Sequence, residues 1–212
     1  MKKTQETMTR AGVQKTYRLY APIYDFLFGA VLEPGRKSLC DEVAKLNPKR
    51  LLEVGVGTGL LINRYPEFSD ITGIDVSEEM LNIASTRAKL NPEKSISLLE
   101  MDAENMTFGN NSFDCVVAPY VLSVTPNPEK LLREMQRVCK NDGTIIILNH
   151  FSGSGTWYLL EKLVKNAAQK IGFRSDFSYE QHIGRHQLSI SKLNTVNMFG
   201  LSKLVVFTNT KI

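Results

Sequence analysis

What this sequence lacks narrows its class before any motif is considered. It has 3 cysteines in 212 residues, Cys40, Cys115 and Cys139, an odd number without close spacing. Neither a disulfide framework nor a zinc site is indicated, and the thiols are expected to be ordinary buried side chains. No apolar run approaches the roughly 20 residues that cross a bilayer. The opening Met1-Lys2-Lys3-Thr4-Gln5-Glu6 lacks the hydrophobic stretch of a secretory leader, so a cytoplasmic location is expected. Histidine is scarce at 3, and His182-x-x-x-His186 has helical ligand spacing without an evident third ligand, so no metal is expected. Internal repeats and low-complexity tracts are absent.

What is present suits one globular domain over residues 1–212: 42% hydrophobic and 23% charged residues, far from the balance of a disordered chain. Charge is unevenly spread. Residues 1–50 carry ten Lys and Arg against five Asp and Glu, residues 51–150 eight against fourteen, and residues 151–212 eight against three. An acidic centre between basic flanks is either solvated surface or a means of meeting an anionic lipid or nucleic-acid surface.

From residue 51 to about 150, apolar segments alternate with helical patterns, which argues for parallel βαβ units. Strands are expected over 51–54, 70–76, 95–101, 113–118 and 144–148, the last entered through Asn141-Asp142-Gly143. Helices are expected over about 60–65, from Ser77 as N-cap through Ala88, and over 128–139. A helix over 156–171 and closing strands over 193–199 and 201–208, split by Gly200, would follow. Near the start, Val13, Tyr17 and Tyr20 share one face of a basic amphipathic segment until Pro22.

The chemistry is concentrated after the first strand, in Glu53-x-Gly55-x-Gly57-x-Gly59. Glycines there let the backbone turn tightly and approach a cofactor. A dinucleotide fingerprint begun at Gly55 would place its third glycine at position 60, which is Leu60, so a nicotinamide oxidoreductase is disfavoured. Asp75 ends the second strand twenty residues after Gly55, where a ribose-binding carboxylate stands in several nucleotide folds.

The loop spacing resembles the class I S-adenosylmethionine-dependent methyltransferases. That resemblance implies a Rossmann-like, doubly wound α/β fold with a mainly parallel seven-stranded sheet, an antiparallel last strand and N-terminal lid helices. It implies S-adenosyl-L-methionine as cofactor and S-adenosyl-L-homocysteine as product. The implied contacts are Glu53 to the methionine amino group, Gly55, Gly57 and Gly59 along the cofactor, Asp75 to the ribose with Val76 and Met80 beside it, and Asp102-Ala103 to adenine.

Further segments, Tyr20-Ala21-Pro22-x-Tyr24-Asp25, Pro34-Gly35-Arg36, Val117-Ala118-Pro119-Tyr120 and Asn149-His150-Phe151, resemble the bacterial soluble-type phosphatidylethanolamine N-methyltransferases. The implied partner is a phospholipid headgroup reached by peripheral contact with the inner face of an anionic membrane. Residues 1–46 would form the lid and membrane-contact segment, 47–150 the cofactor-binding core, and 151–212 the acceptor-side helix and closing strands. Tyr24 is expected to close over the cofactor. His150, Tyr20 and Tyr120 are the catalytic candidates, His150 as a base at the ligand-binding edge. Tyr17, Tyr20, Tyr24, Tyr120 and Trp157 are candidates for an aromatic lining that would attract a quaternary ammonium. Competing readings are a methyltransferase for a soluble acceptor such as a quinone precursor, and a noncatalytic binding module. Nucleic-acid base methylation is disfavoured because no Asp or Asn stands before Pro119-Tyr120.

Overall fold

The computed structural model of the protein describes residues 32–150, 189–197, 200 and 202–210. The expected helix over 156–171, Trp157, His182, His186 and the aromatic residues of the N-terminal segment lie outside the described residues.

Helix α1 (Glu33–Leu46) begins with an acidic residue and a proline in its first turn, where a free N–H would go unused. It ends at Asn47, whose left-handed φ of 43° turns its N–H onto the Val43 carbonyl. Strand β1 (Arg50–Val54) follows, then β2 (Asp70–Asp75), helix α2 (Glu78–Ala88), β3 (Ile96–Glu100), β4 (Phe113–Pro119), helix α3 (Pro128–Val138), β5 (Cys139–His150), β6 (Ser189–Val196) and β7 (Ser202–Thr208). Ser77 caps α2 as expected, its hydroxyl accepting from the Met80 N–H at 3.3 Å.

The seven strands form one sheet in the order β3-β2-β1-β4-β5-β7-β6. Every pair from β3 to β5 is parallel, and β7 runs antiparallel to both β5 and β6. The doubly wound sheet with an antiparallel last strand is therefore the fold found. The chain steps outward from β1 to β3, then crosses back to β4 on the other side of β1. In such sheets the crevice at this reversal, outside the strands' carboxyl ends, is where ligands bind.

Alternation along the strands loads both faces. One face carries Leu52, Val54, Val116, Ile145 and Ile147 against Leu131, Leu132 and Met135 of α3. The other carries Leu51, Cys115, Val117, Ile146 and Leu148 against Leu39, Cys40 and Val43 of α1. All three cysteines are buried and form no disulfide. Glu53 shares the α1 face, so a carboxyl group lies in an otherwise apolar layer, 2% exposed.

The largest departures from the expected boundaries are at three places. The segment 60–65 makes only a 3-10 turn at Ile62–Arg64, because Tyr65 precedes Pro66 and is held extended at ψ 160°. Strand β5 starts at Cys139 rather than at 144: the Asn141-Asp142-Gly143 segment is an irregularity within the strand, bridging a register shift opposite Phe113 and Cys115. The buried Asn209 amide holds it by donating to the carbonyls of Gln136, Cys139 and Lys140. Strand β6 begins at Ser189, earlier than expected, since an exposed edge strand carries Ser, Lys and Asn and loses the apolar signal.

Candidate active site

A cavity opens at the reversal point. Its walls include Glu53, Gly55, Gly57, Asp75, Val76, Met80, Asp102, Ala103 and Tyr120, so most of the residues singled out by motif meet in one place.

The glycine loop leaves β1 with left-handed φ angles of 67°, 54° and 79° at Gly55, Gly57 and Gly59. Only the first two line the cavity. A Cβ on Gly57 would meet nothing within 4 Å, so its bare face is turned to open space where a ligand can approach the backbone. Gly59 differs: a Cβ there would meet Ala84 and Ile62 at 2.9 Å. Its absence of side chain lets the loop pack on α2.

Asp75 finishes β2 with both oxygens oriented by backbone. Its Oδ2 accepts from the Gly57 N–H at 2.9 Å and its Oδ1 from the Ser77 N–H at 3.0 Å. Burial raises its pKa, while the N–H groups of Gly57, Ser77 and Val76 work against that rise. Three N–H groups on a carboxylate with about four lone-pair sites leave room for one further donor, such as a ribose hydroxyl.

Glu53 lies deeper. Burial pushes its carboxyl up to about 8; the neighbouring Tyr65 hydroxyl opposes this and the charge of Asp75 adds to it. Its Oε2 is buried without a hydrogen-bond partner. A buried unpartnered carboxyl oxygen on a cavity wall matches a cationic donor such as an ammonium group.

At the far wall, the Asp102 Oδ1 accepts from the Glu104 N–H at 3.0 Å, closing the turn that presents Ala103. Glu104 then ties this turn to the loop after β4, its Oε1 accepting from the Thr125 hydroxyl at 2.8 Å and the Asn127 N–H at 2.7 Å.

Tyr120 follows β4 with a left-handed φ of 62°, and its N–H donates to the Leu148 carbonyl at 2.6 Å. Burial raises its pKa, with the Asn197 and Ser202 side chains acting in the opposite direction. His150 is not among the cavity-lining residues. It lies behind Tyr120, ring centroids 4.9 Å apart and planes tilted by 30°, with Nδ1 2.8 Å from the Ser202 Oγ. Tyr20 and Tyr24 fall outside the described residues.

Sequence reasoning gave no role to Arg36, Tyr65 or Asn197. Arg36, 7% exposed, lines the cavity from α1. It was visible only as part of the Pro34-Gly35-Arg36 segment. Nothing in the sequence relates Tyr65 to Glu53, because the 3-10 turn that joins them was read as a helix.

Comparison with known proteins speaks to the family and the fold. A family model described as a methyltransferase domain matches residues 52–147. A phosphatidylethanolamine N-methyltransferase of Cereibacter sphaeroides is 37% identical over 92% of this chain and 97% of its own. A demethylmenaquinone methyltransferase of Thermotoga maritima is 32% identical over 66% of this chain and 62% of its own. Among solved structures, a SAM-dependent methyltransferase from Thermotoga maritima superposes with a TM-score of 0.70 at 21% identity, over 92% of this chain and 99% of that one, a likeness of fold.

Proposed function

The chain belongs to the class I S-adenosylmethionine-dependent methyltransferases, and from that premise we propose that its acceptor is the amino headgroup of phosphatidylethanolamine, methylated stepwise toward phosphatidylcholine. The observation that carries this reading is the 37% identity to a phosphatidylethanolamine N-methyltransferase across 97% of that protein's length. The quinone-type relative is matched over only 62% of its length.

The residues present fit the donor. Glu53, with its buried unpartnered Oε2, would take the methionine ammonium; Asp75 would take a ribose hydroxyl; the Asp102-Ala103 turn would flank adenine. When bound, S-adenosylmethionine supplies an electrophilic methyl group on a positively charged sulfur. The protein's task is then orientation and exclusion of water rather than nucleophilic catalysis. Pro119, Tyr120 and Val121 make an apolar and aromatic wall at the end of β4. An ammonium that gains methyl groups is increasingly attracted to such an aromatic face. In the net reaction a carbon–nitrogen bond forms as the carbon–sulfur bond breaks, and the amine proton passes to solvent.

Access to a lipid is supported by the basic balance of residues 1–50 and 151–212, which suits peripheral contact with an anionic surface. Among the described residues no helix is long and apolar enough to cross a membrane. A second reading, a soluble quinone-type acceptor, draws on the demethylmenaquinone relative.

The deciding experiment incubates the protein with methyl-labelled donor and liposomes that contain or lack phosphatidylethanolamine. Methylated headgroups, with a rate that rises from neutral toward alkaline pH as the amine deprotonates, are expected. Label entering only added soluble metabolites would overturn the lipid acceptor and leave the methyltransferase standing.

A further inference from the structure

Behind the aromatic wall lies a polar cluster drawn from four separate parts of the chain. The Gly35 N–H, at the start of α1, donates to the Asn197 Oδ1 at 2.6 Å. The Asn197 Nδ2 donates to the Tyr120 Oη at 3.0 Å and to the Ser202 Oγ at 2.7 Å. The Ser202 Oγ lies 2.8 Å from the His150 Nδ1. A Cβ on Gly35 would sit 2.7 Å from the Tyr120 Oη and 2.8 Å from the Asn197 Oδ1, so only glycine admits this approach.

Hydrogen-bond bookkeeping orients the cluster. A backbone N–H can only donate, so the Asn197 oxygen must face Gly35 and both amide protons face Tyr120 and Ser202. The Ser202 oxygen, accepting from Asn197, keeps a proton that the His150 Nδ1 at 2.8 Å is placed to accept. A neutral imidazole that accepts at Nδ1 carries its proton on Nε2.

Backbone conformation points the same way. Tyr120 and Asn197 are both left-handed, with φ of 62° and 68°. Asparagine tolerates that region through its short side chain, whereas a tyrosine there persists only when its surroundings over-determine it. The Asn197 amide is one of the groups doing so.

We propose that Asn197 is a positioning residue for methyl transfer: its carboxamide fixes the Tyr120 ring against the cavity and, through Ser202, holds His150 as the Nε2–H tautomer on which that ring rests. The proposal rests on the reading of Tyr120 as the acceptor-facing wall. His150 is then a support, its Nδ1 engaged away from the cavity.

The test uses Asn197→Gly, which keeps the left-handed backbone at no steric cost and deletes the carboxamide. With only 3 histidines, nitrogen-15 histidine spectra of the donor-free protein read the ring tautomers directly, and loss of one set of signals in His150→Gln assigns His150. The parent is expected to show an Nε2–H ring at His150, and Asn197→Gly a mixture of tautomers in a chain that still folds but melts a few degrees lower, on the order of the hydrogen bonds lost. In the transfer assay kcat should fall about tenfold to a hundredfold, the scale of a small misplacement, with KM for the donor within about twofold. Tyr120→Phe and Asn197→Gly should be non-additive, since they remove the same contact. Ser202→Ala should release the His150 tautomer while leaving the Asn197–Tyr120 bond, and decides the matter if Asn197→Gly does not fold. An unchanged His150 spectrum in both variants, or full kcat in Asn197→Gly, would overturn the proposal. Failure of the lipid reading is separate: it would appear as transfer to another acceptor, while the histidine spectra, recorded without donor or acceptor, would still change.

Discussion

The end of the cavity proposed for the donor is assembled from neighbours in the chain, whereas the end proposed for the acceptor is stitched together over long separations. Asp75 is oriented by N–H groups 18 and 2 residues away, and Ser77 caps α2 from 3 residues away. Tyr120 is held by Asn197 at a separation of 77, Asn197 by Gly35 at 162, and His150 by Ser202 at 52. The first kind of site forms wherever a strand, a glycine turn and a capped helix form. The second exists only once α1, the β4 edge and the β6–β7 corner have all docked. A fold reused for many acceptors can keep a local donor site while its acceptor side is rebuilt from elements remote in sequence.

Substitutions can break each end without the other. The largest effect is expected for Asp75→Ala, which removes a carboxylate whose two oxygens serve the donor end. Charge-assisted hydrogen bonds contribute about 1.5–3 kcal/mol each, so donor affinity by titration calorimetry should fall on the order of 100-fold or more. The chain should still fold and retain the His150 tautomer.

Glu53→Gln comes next and is a matter of pH. Burial raises the folded carboxyl from 4.5 to about 8, so the folded state binds a proton more tightly than the unfolded one. The resulting stability is fully present below about pH 4.5 and is lost as pH rises through about 8. Urea titrations should therefore find Glu53→Gln close to the parent near pH 4.5 and more stable than it by a few kcal/mol at about pH 8. Donor affinity of the parent should rise with pH up to about 8, as the carboxyl ionises to meet an ammonium, and this rise should vanish in the variant. Equal pH profiles would show that Glu53 does not hold the donor.

Gly35→Ala probes the other end. Its Cβ intrudes on the Tyr120 hydroxyl and the Asn197 amide. An approximately tenfold loss of kcat with donor affinity unchanged is expected, a displacement cost of the kind that positioning losses produce. A matched fall in donor binding would mean that the two ends are not separable. The smallest effect is expected for Ser77→Ala, about 1 kcal/mol of stability from the lost N-cap, measured by chemical denaturation.

The two ends also differ in how well they read from the sequence. The order of strands and helices from β1 to β5 was legible because apolar alternation and the Ser77 cap are local signals. That Glu53, Gly57, Asp75 and Asp102 gather at one cavity was legible for the same reason: each lies at a strand end or in the turn after it. Gly59 is less plain, since glycine spacing does not reveal whether the missing side chain makes room for a ligand or for Ala84. The β5 start was hidden because the turn-like Asn141-Asp142-Gly143 is absorbed into the strand by three donations from the remote Asn209 amide. His150 was placed at the ligand-binding edge by its position after β5. Only the packing of β7 shows that it faces Ser202 behind Tyr120.

By itself, then, the order of residues determined a parallel αβ sheet, its glycine loop and an aspartate at the end of the second strand, because hydrogen bonding and hydrophobic periodicity over a few positions suffice for those. Tertiary structure alone decided that an asparagine at position 197, a glycine at 35 and a tyrosine at 120 would share one set of hydrogen bonds. Those contacts join distant segments whose approach depends on the docking of whole elements, and no local pattern records it.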